Sequence, residues 1–441
     1  MKLSKYNICI SSGDSCILYN CRRDYMFQVA KPLYDIYMSE AEHPGILSHV
    51  APDFFQHLVG HDFVIDDDVD EAMKIKEEWQ REDQEGNLLQ ITINPTLRCN
   101  LRCYYCYEEH QYGSYMQPQV IDATIKYIRR QLNSGKFNRI SLSFFGGEPL
   151  LYFNKVIKPI LDQVGNMNYP DVHFDLNFTS NITLLTKKIT EYLLPWHPSF
   201  QITIDGNEFI HNMVKCLPNK SKSAYRIAIN NIRFLLSHKL KVAIRFNYTA
   251  KTLERFYDVI EDLRLFSDEE KLYANINFHR IWQDTKIPES ELQPVVDDLE
   301  LAFREAGFYV ISSTSRTIGR CYADVENSLV INYDGKIYKC TARDFNDENS
   351  EGLLLPNGNI KWNQRHQKRI AIRYCNPICM ACTIFPLCHG GCSQSKLESN
   401  NPNYCVKGFS ERDKENYVVQ RIKGIIAEQY KKGGCPGDND K

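Results

Sequence analysis

The sequence predicts an α/β protein built on parallel strands, and three observations support this fold class. Between Leu88 and about Phe308, six β-prone segments alternate with six helical ones. Strands that alternate with helices in this way pair in parallel through right-handed crossovers. A cysteine triplet follows the first of these strands, and further cysteines crowd the C-terminal part. We therefore expect the chemistry at the carboxyl ends of the strands.

Composition excludes several classes of protein. The chain has 441 residues, a net charge of −2 and 43% hydrophobic residues, so it can bury a large core and lacks the positive charge of a nucleic-acid binder. No apolar run approaches the ~18 residues of a membrane span, and the N-terminus lacks a signal region. We expect a cytoplasmic protein without membrane or nucleic-acid partners. The sixteen cysteines are grouped, which in a reducing compartment indicates metal ligands and not disulfides.

Residues 1–86 form the first predicted region. Tyr6–Ser11 and Cys16–Tyr19 are β-like runs joined by a Ser-Gly-Asp turn signal, which predicts a hairpin. Short helical segments follow, the last of them Met73–Gln80. The charged, glycine-containing stretch Arg81–Asn87 is predicted to be a linker.

Residues 87–309 form the second region, a succession of strands and amphipathic helices. The predicted strands are Leu89–Asn94, Arg139–Phe145, Val172–Phe178, Phe200–Ile204, Lys241–Asn247 and Tyr273–His279, and the predicted helices are Val120–Asn133, Tyr152–Val164, Thr186–Leu194, Ala224–His238, Thr252–Leu265 and Glu289–Glu305.

Residues 310–411 form a third region, in which hairpins, loops and cysteines replace the alternation. Ser328–Ile331 and Lys336–Lys339 flank a Tyr-Asp-Gly turn signal and predict a second hairpin. The last segment, 412–441, contains most of a closing helix predicted over Ser410–Lys431. Its polar end, 433–441, is predicted to be disordered.

Cys99, Cys103 and Cys106 stand at a Cys-x3-Cys-x2-Cys spacing. Three thiolates can hold a 4Fe–4S cluster and leave one iron open to bind and activate a small molecule. A zinc site is the alternative, although structural zinc sites usually take four ligands in pairs.

This spacing, with an aromatic residue before its last cysteine, resembles the fingerprint of the radical S-adenosylmethionine (SAM) enzymes. A Gly-Gly-Glu-Pro element at 146–149, the Thr-Ser-Asn run at 179–181 and Thr-Ile-Asp-Gly at 203–206 are similar to family elements around SAM. The resemblance implies a partial (β/α)6 TIM-type barrel and reductive cleavage of SAM to a 5′-deoxyadenosyl radical that removes a hydrogen atom from a C–H bond. The implied SAM contacts are Tyr105, Gly146, Gly147, Glu148, Asn181, Thr203 and Arg245.

Two residues in this region differ from the family pattern, and two others have more than one possible role. Ile182 stands where the family usually has glycine, and Lys215 where it often has arginine. Arg245 fits either the SAM carboxylate or an ordinary ion pair at the barrel rim. His211 is not predicted to be catalytic, because it can equally cap a helix or satisfy a loop carbonyl. No catalytic acid or base is predicted.

The C-terminal cysteines have their own order. The spacing is Cys-x13-Gly-x4-Cys from Cys321 to Cys340, followed by a Cys-x2-Cys-x5-Cys-x3-Cys run and a final Cys405. It resembles the SPASM domain of radical SAM maturases, whereas paired zinc ribbons would be more symmetrical. The resemblance implies two auxiliary 4Fe–4S clusters, for three in all. The first would be held by Cys321, Cys340, Cys392 and either Cys375 or no fourth protein ligand, and the second by Cys379, Cys382, Cys388 and Cys405.

Two features distinguish between members of the family. Anaerobic sulfatase-maturating enzymes carry an aspartate directly after the second auxiliary cysteine, where this chain has Thr341, with Asp344 as the nearest acid. Residues 1–86 resemble winged-helix elements that bind the leader of a ribosomally made peptide as an added strand, although a lid over the barrel is equally compatible. The resemblance thus favours a maturase that installs a thioether or carbon–carbon crosslink in a precursor peptide, with flavodoxin or ferredoxin as reductant. A sulfatase maturase and a non-catalytic, leader-binding metal scaffold remain as alternatives.

Overall fold

The computed structural model describes residues 1–219, 221–311, 320–399, 401 and 403–431. The chain divides into two compact units. Unit one contains Met1–Glu85 and the described parts of Thr314–Val325 and Lys368–Lys441, and unit two contains the described parts of Gly86–Ser313 together with Glu326–Gln367. The predicted disorder at 433–441 lies outside the described residues. No helix in the described part of the chain is long and apolar enough to cross a bilayer.

The strands are short and are numbered here in chain order. They are β1 (Lys2–Leu3), β2 (Asn7–Ser12), β3 (Ser15–Asn20), β4 (Tyr25–Ala30), β5 (Val64–Ile65), β6 (Leu88–Ile93), β7 (Arg139–Phe144), β8 (His173–Ser180), β9 (Ser199–Ile204), β10 (Val242–Tyr248), β11 (Ala274–Arg280), β12 (Tyr309–Val310), β13 (Ser328–Ile331), β14 (Lys336–Tyr338), β15 (Gly352–Leu354) and β16 (Ile360–Trp362).

The α-helices are numbered in the same way. They are α1 (Lys31–Ser39), α2 (Leu47–Val50), α3 (Pro52–Gly60), α4 (Glu71–Glu85), α5 (Pro118–Asn133), α6 (Lys158–Gly165), α7 (Lys187–Leu193), α8 (Glu208–Val214), α9 (Ala224–Ser237), α10 (Phe256–Arg264), α11 (Asp268–Lys271), α12 (Glu289–Glu305), α13 (Gln364–Ile372), α14 (Pro377–Ala381), α15 (Phe385–Cys388), α16 (Ser393–Glu398) and α17 (Glu411–Lys431).

Unit two is built on one large sheet in the order β12-β11-β10-β9-β8-β7-β6-β13-β14-β15-β16. The six predicted strands, β6 to β11, are confirmed and pair in parallel. The parallel run is longer than the six strands expected, because β12 joins β11 and β13 joins β6. Strand β13 pairs with β6 because the backbone of β6 would otherwise be unpaired on that side. Asn94 N, just after β6, donates to Ile331 O in β13 at 2.9 Å, so β13 covers this edge of β6. The predicted hairpin is confirmed as β13 and β14, which are antiparallel.

The parallel strands separate a buried face from a polar one. In β9 and β10 every second residue is buried and apolar, and these side chains pack with the crossover helices in the main hydrophobic core. The intervening residues are only partly buried. Because successive side chains point to opposite faces, this alternation aims one set of polar side chains away from the helices.

Unit one contains a separate three-stranded antiparallel sheet in the order β2-β3-β4. The predicted hairpin is confirmed as β2 and β3, with Gly13 at a φ of 60° in the turn. The third strand, β4, was not predicted. Most side chains of β4 are partly buried or exposed, and apolar and polar residues do not alternate regularly along it. The sequence pattern therefore did not distinguish this strand from a loop.

The predicted linker Arg81–Asn87 is wrong for most of its length, because α4 continues to Glu85. Tertiary contacts within unit one explain the difference. Asp83 is only 2% exposed, and its carboxylate pairs with Arg320 and, at 3.3 Å, with Arg373. A charged run normally indicates a solvated segment, but here one of its charges is buried and neutralised by residues distant in sequence.

Candidate cofactor and cluster sites

The three cysteines of the first motif lie on the loop that leaves the carboxyl end of β6, as predicted. Their side chains line one cavity of about 200 Å³ in unit two. Cys99 Sγ accepts a hydrogen bond from Leu101 N at 3.4 Å, and a turn brings Cys106 N to 3.1 Å from Cys103 O. Burial raises the pKa of Cys99 to about 12. Its thiolate therefore needs a positive partner, such as a metal ion, to be stable in this position.

The two glycines after β7 allow that loop to pack closely. A Cβ on Gly146, which has a φ of 86°, would lie 2.6 Å from Thr96 O, and a Cβ on Gly147 would lie 2.3 Å from Arg98 O. These glycines therefore permit close approach of the backbone that carries the cysteines.

Glu148 joins this turn to the end of β8. Its carboxylate accepts hydrogen bonds from Ser180 Oγ at 2.8 Å, Asn181 N at 2.8 Å and Leu150 N at 3.0 Å. It is fully buried, and burial raises its pKa although these donors oppose the rise. The cavity is lined by Gly146, Gly147 and Asn181, whereas Glu148 lies behind them as a support.

Two neighbouring strands supply the polar wall of the cavity. Thr203 in β9 lies directly opposite Arg245 in β10, and both line the cavity together with Gln201 and Asn247. Arg245 Nε donates to Asn247 Oδ1 at 3.0 Å. The cavity thus brings together every residue predicted to contact SAM except Glu148.

A buried polar cluster lies beside the cysteines. The Tyr105 hydroxyl donates to Asp205 Oδ1 at 2.5 Å, and Lys215 Nζ lies 3.3 Å from that hydroxyl and 3.6 Å from Asp205 Oδ2. His211 Nδ1 lies 3.5 Å from the same carboxylate. Burial opposes the charge of Lys215, but Asp205, Tyr105 and Cys103 outweigh it and raise its pKa well above the usual value. Burial and Lys215 together lower the pKa of His211, so the imidazole is neutral.

One acidic group at this cavity was not predicted from the sequence. Glu108 lines the cavity, and its Oε2 is buried without a hydrogen-bond partner. Burial, followed by repulsion from Asp344, raises its pKa to about 8. Asp344 Oδ1 is likewise buried without a partner. Neither the periodicity nor the spacing of the sequence indicates that Glu108 is buried close enough to Asp344 for the two carboxyl groups to repel each other, so this feature appears only in the tertiary structure.

The second cavity lies in unit one and has a volume of about 60 Å³. Cys379, Cys382, Cys388 and Cys405, the four residues predicted for the second auxiliary cluster, all line it. Apolar side chains such as Ile378, Phe385 and Phe409 form much of the remaining wall, with Lys407 and Lys414 at its border. Four soft thiols and a small apolar chamber are a donor set that suits an iron–sulfur cluster.

The residues predicted for the first auxiliary cluster are divided between the units. Cys321, Cys375 and Cys392 belong to unit one, and Cys340 belongs to unit two. Cys375 is exposed, and Lys76 Nζ lies 3.3 Å from its sulfur. This ligand set stays a prediction.

The two thiol sets differ from a site for a single metal ion. Among the described residues, no group of three or more His, Cys, Asp or Glu side chains is arranged to hold one ion. The two thiol sets instead border cavities, and the glycine turn at 146–147 leaves room beside the first set. Cavities lined by thiols fit a group with several metal atoms.

Comparison with known proteins agrees with this geometry. The family model described as the Radical SAM superfamily matches residues 93–263. An uncharacterized protein of Methanocaldococcus jannaschii is 27% identical over 254 residues, which cover 57% of this chain and 84% of that protein. The radical SAM cyclopropyl synthase TigE of Paramaledivibacter caminithermalis is 27% identical over 159 residues, covering 31% of this chain and 33% of TigE. A cysteine-type anaerobic sulfatase-maturating enzyme of Clostridium novyi is 22% identical over 385 residues, covering 76% of this chain and 98% of that enzyme.

Solved structures share the fold. The native enzyme anSMEcpe, with AdoMet and a Cp18Cys peptide bound, superposes with a TM-score of 0.56 at 19% identity and covers 78% of this chain and 97% of its own. Streptococcus suis SuiB bound to the precursor peptide SuiA superposes with a TM-score of 0.50 at 15% identity and covers 91% of this chain and 98% of its own. Residues 93–263 of the chain thus match the Radical SAM superfamily, and the chain is similar to proteins named as a radical SAM cyclopropyl synthase and an anaerobic sulfatase-maturating enzyme.

Proposed function

We propose that this enzyme cleaves SAM and installs an intramolecular thioether or carbon–carbon crosslink in a ribosomally synthesised precursor peptide. The observation that carries the proposal is the cavity of unit two, where three thiols, the glycine turn and the polar ends of three strands meet. SuiB has been solved with a precursor peptide, and TigE is a cyclopropyl synthase, which supports a peptide substrate and bond formation at carbon.

In this proposal the residues of the cavity have distinct tasks. Cys99, Cys103 and Cys106 would hold a 4Fe–4S cluster, which with SAM bound would supply a 5′-deoxyadenosyl radical. Arg245 would bind the carboxylate of SAM, because it lines the cavity from β10 and carries a guanidinium. The backbone of Gly146 and Gly147 would border the bound cofactor. Tyr105, Asn181 and Thr203 form the remaining wall, and Glu148 holds the turn in place.

Cleavage of SAM is the first test and needs no peptide. The anaerobically reconstituted enzyme with dithionite and SAM is expected to release 5′-deoxyadenosine. Replacing Cys99, Cys103 and Cys106 together by alanine should abolish that product, while Cys216→Ala, which removes an exposed thiol of the same unit, should not. An iron-loaded wild-type enzyme that yields no 5′-deoxyadenosine would favour the non-catalytic scaffold instead.

We propose that the sheet β2-β3-β4 binds the leader of the precursor. Within the described residues β4 pairs only with β3, so its other edge can accept an extended peptide as a further strand. Deleting residues 1–85 is a poor test, because Tyr6, Tyr19 and Trp79 share a hydrophobic core with Cys379 and Phe385. Hydrogen exchange on the full chain is better. Peptides encoded beside the gene should slow exchange in β4, whereas unchanged exchange there on binding would favour the lid interpretation.

Sulfatase maturation is the alternative function, favoured by the Clostridium novyi relative, of which this chain covers 98%. Thr341 stands in place of the aspartate of that family, and its carbonyl accepts a hydrogen bond from the Tyr107 hydroxyl at 2.7 Å. A sulfatase-derived cysteine peptide is therefore expected to remain unmodified. Its conversion to formylglycine, detected by mass spectrometry, would reverse the order of the two functions.

A further inference from the structure

A lysine buried next to the cysteine loop is unusual, because an ammonium loses its hydration there. Lys215 is 6% exposed and follows α8 directly, with its backbone N 2.7 Å from His211 O. Its side chain reaches the Tyr105 hydroxyl and Asp205, and it lines the same cavity as Cys99, Cys103 and Cys106. The ammonium therefore lies between one carboxylate and the cavity that the predicted cluster ligands line.

The surrounding groups do not cancel this charge at the cysteine. Asp205 already accepts a short hydrogen bond from Tyr105, on the oxygen that Lys215 does not approach. Lys215 lines the cavity together with Cys103, whereas Asp205 is not among the residues that line it. His211 packs against the same carboxylate, and Glu148 is a more remote acid that also interacts with Lys215. The cation thus faces the cysteine loop, and the anion stands behind it.

We propose that Lys215 is a positioning residue that raises the reduction potential of the cluster on Cys99, Cys103 and Cys106. This inference rests on the proposed function, since it concerns the cluster that the proposed function assigns to these residues. The reduced cluster carries one more negative charge than the oxidised one, so a nearby cation stabilises the reduced form more. Hydrogen bonds to ligand sulfur and the net charge around a cluster are the protein's main means of setting its potential.

The size of the effect follows from Coulomb attraction partly offset by Asp205. Removing the ammonium should lower the ratio of reduced to oxidised cluster at a fixed potential by about tenfold, which corresponds to about 59 mV for one electron. Replacing Asp205 by asparagine should have the opposite sign, because it removes the anion that opposes Lys215. A group with a merely structural role would not give opposite shifts for the two partners.

The experiment is a redox titration of the reconstituted full-length enzyme with dithionite, followed by electron paramagnetic resonance. The signal that changes when SAM is added identifies the cluster with an open iron. Lys215→Met should lower its midpoint potential, Asp205→Asn should raise it, and Lys215→Arg should leave it near that of the wild type. Lys239→Met is the matched control, because Lys239 pairs with Glu269 on the surface at 3.0 Å.

The possible results distinguish failure of the proposed function from failure of the inference about Lys215. A wild-type signal that does not respond to SAM would overturn the proposed function and this inference with it. A responsive signal whose potential stays the same in Lys215→Met and Asp205→Asn, or moves in the same direction in both, would overturn the inference alone. If Lys215→Met fails to retain its cluster, the comparison of Asp205→Asn with Lys215→Arg still decides.

Discussion

Gly147 lies where the turn after β7 meets the loop that carries the cysteines. There is no space for a Cβ at this position, because the nearest atoms belong to the backbone of Leu97 and Arg98. Backbone cannot move aside as the end of a flexible side chain can, so any substitution displaces the loop itself.

Gly147→Ala is therefore expected to destabilise unit two by about 3 kcal/mol and to reduce SAM cleavage by at least about tenfold. The matched control is Gly45→Ala, since an added Cβ at Gly45 meets nothing within 4 Å. Thermal unfolding and release of 5′-deoxyadenosine would measure the two effects. A Gly147→Ala enzyme as stable and active as Gly45→Ala would show that the loop does not need this close contact.

Helix α4 shows how an element can carry a role that its composition conceals. It is strongly charged, yet Asp83 near its end is buried between two arginines from the C-terminal part of unit one. The helix thereby connects the N-terminal residues of this unit to its C-terminal residues. Losing one member of such a group leaves the remaining charges buried and uncompensated.

Asp83→Ala is expected to lower the free energy of unfolding by about 3–5 kcal/mol, because Arg320 and Arg373 would lose their common carboxylate. Asp122→Ala is the control, since Asp122 forms an exposed pair with Lys126 within one helix and should cost less than about 1 kcal/mol. Urea denaturation followed by circular dichroism compares them. Equal losses for the two variants would contradict the structural role assigned to Asp83.

At the scale of the whole molecule, two of the three predicted cysteine sets each lie within one unit. One set lines the cavity of unit two and another lines the cavity of unit one, and the remaining predicted set has members in both units. Cys21 is a further thiol, 1% exposed, in the same hydrophobic core as Cys379. Its position makes it the natural competitor for a ligand role in unit one.

Cys379→Ala should lower the iron content by about four atoms per chain while the signal that responds to SAM is retained. Cys21→Ala should leave the iron content unchanged, because Cys21 is not among the residues that line the cavity. Iron analysis together with absorbance measures both. If Cys21→Ala lost iron and Cys379→Ala kept it, Cys21 and not Cys379 would be the cluster ligand.

Much of this protein could be predicted from the sequence, because the signals are local. Regular alternation of apolar residues gives strands β6 to β11, and fixed spacings within short loops give the cysteine triplet and the glycine turn. These features depend on residues close together in the chain, so their physical cause is visible in the sequence.

Other features depend on residues far apart and were decided only by the tertiary structure. The ion pair of Asp83 with Arg320, the repulsion between Glu108 and Asp344 and the pairing of β13 with β6 each join segments separated by more than two hundred residues. Burial of Lys215 at the cavity that Cys103 lines likewise depends on where α8 packs. A sequence records which groups are available, but desolvation and charge pairing act only between groups that folding brings into contact.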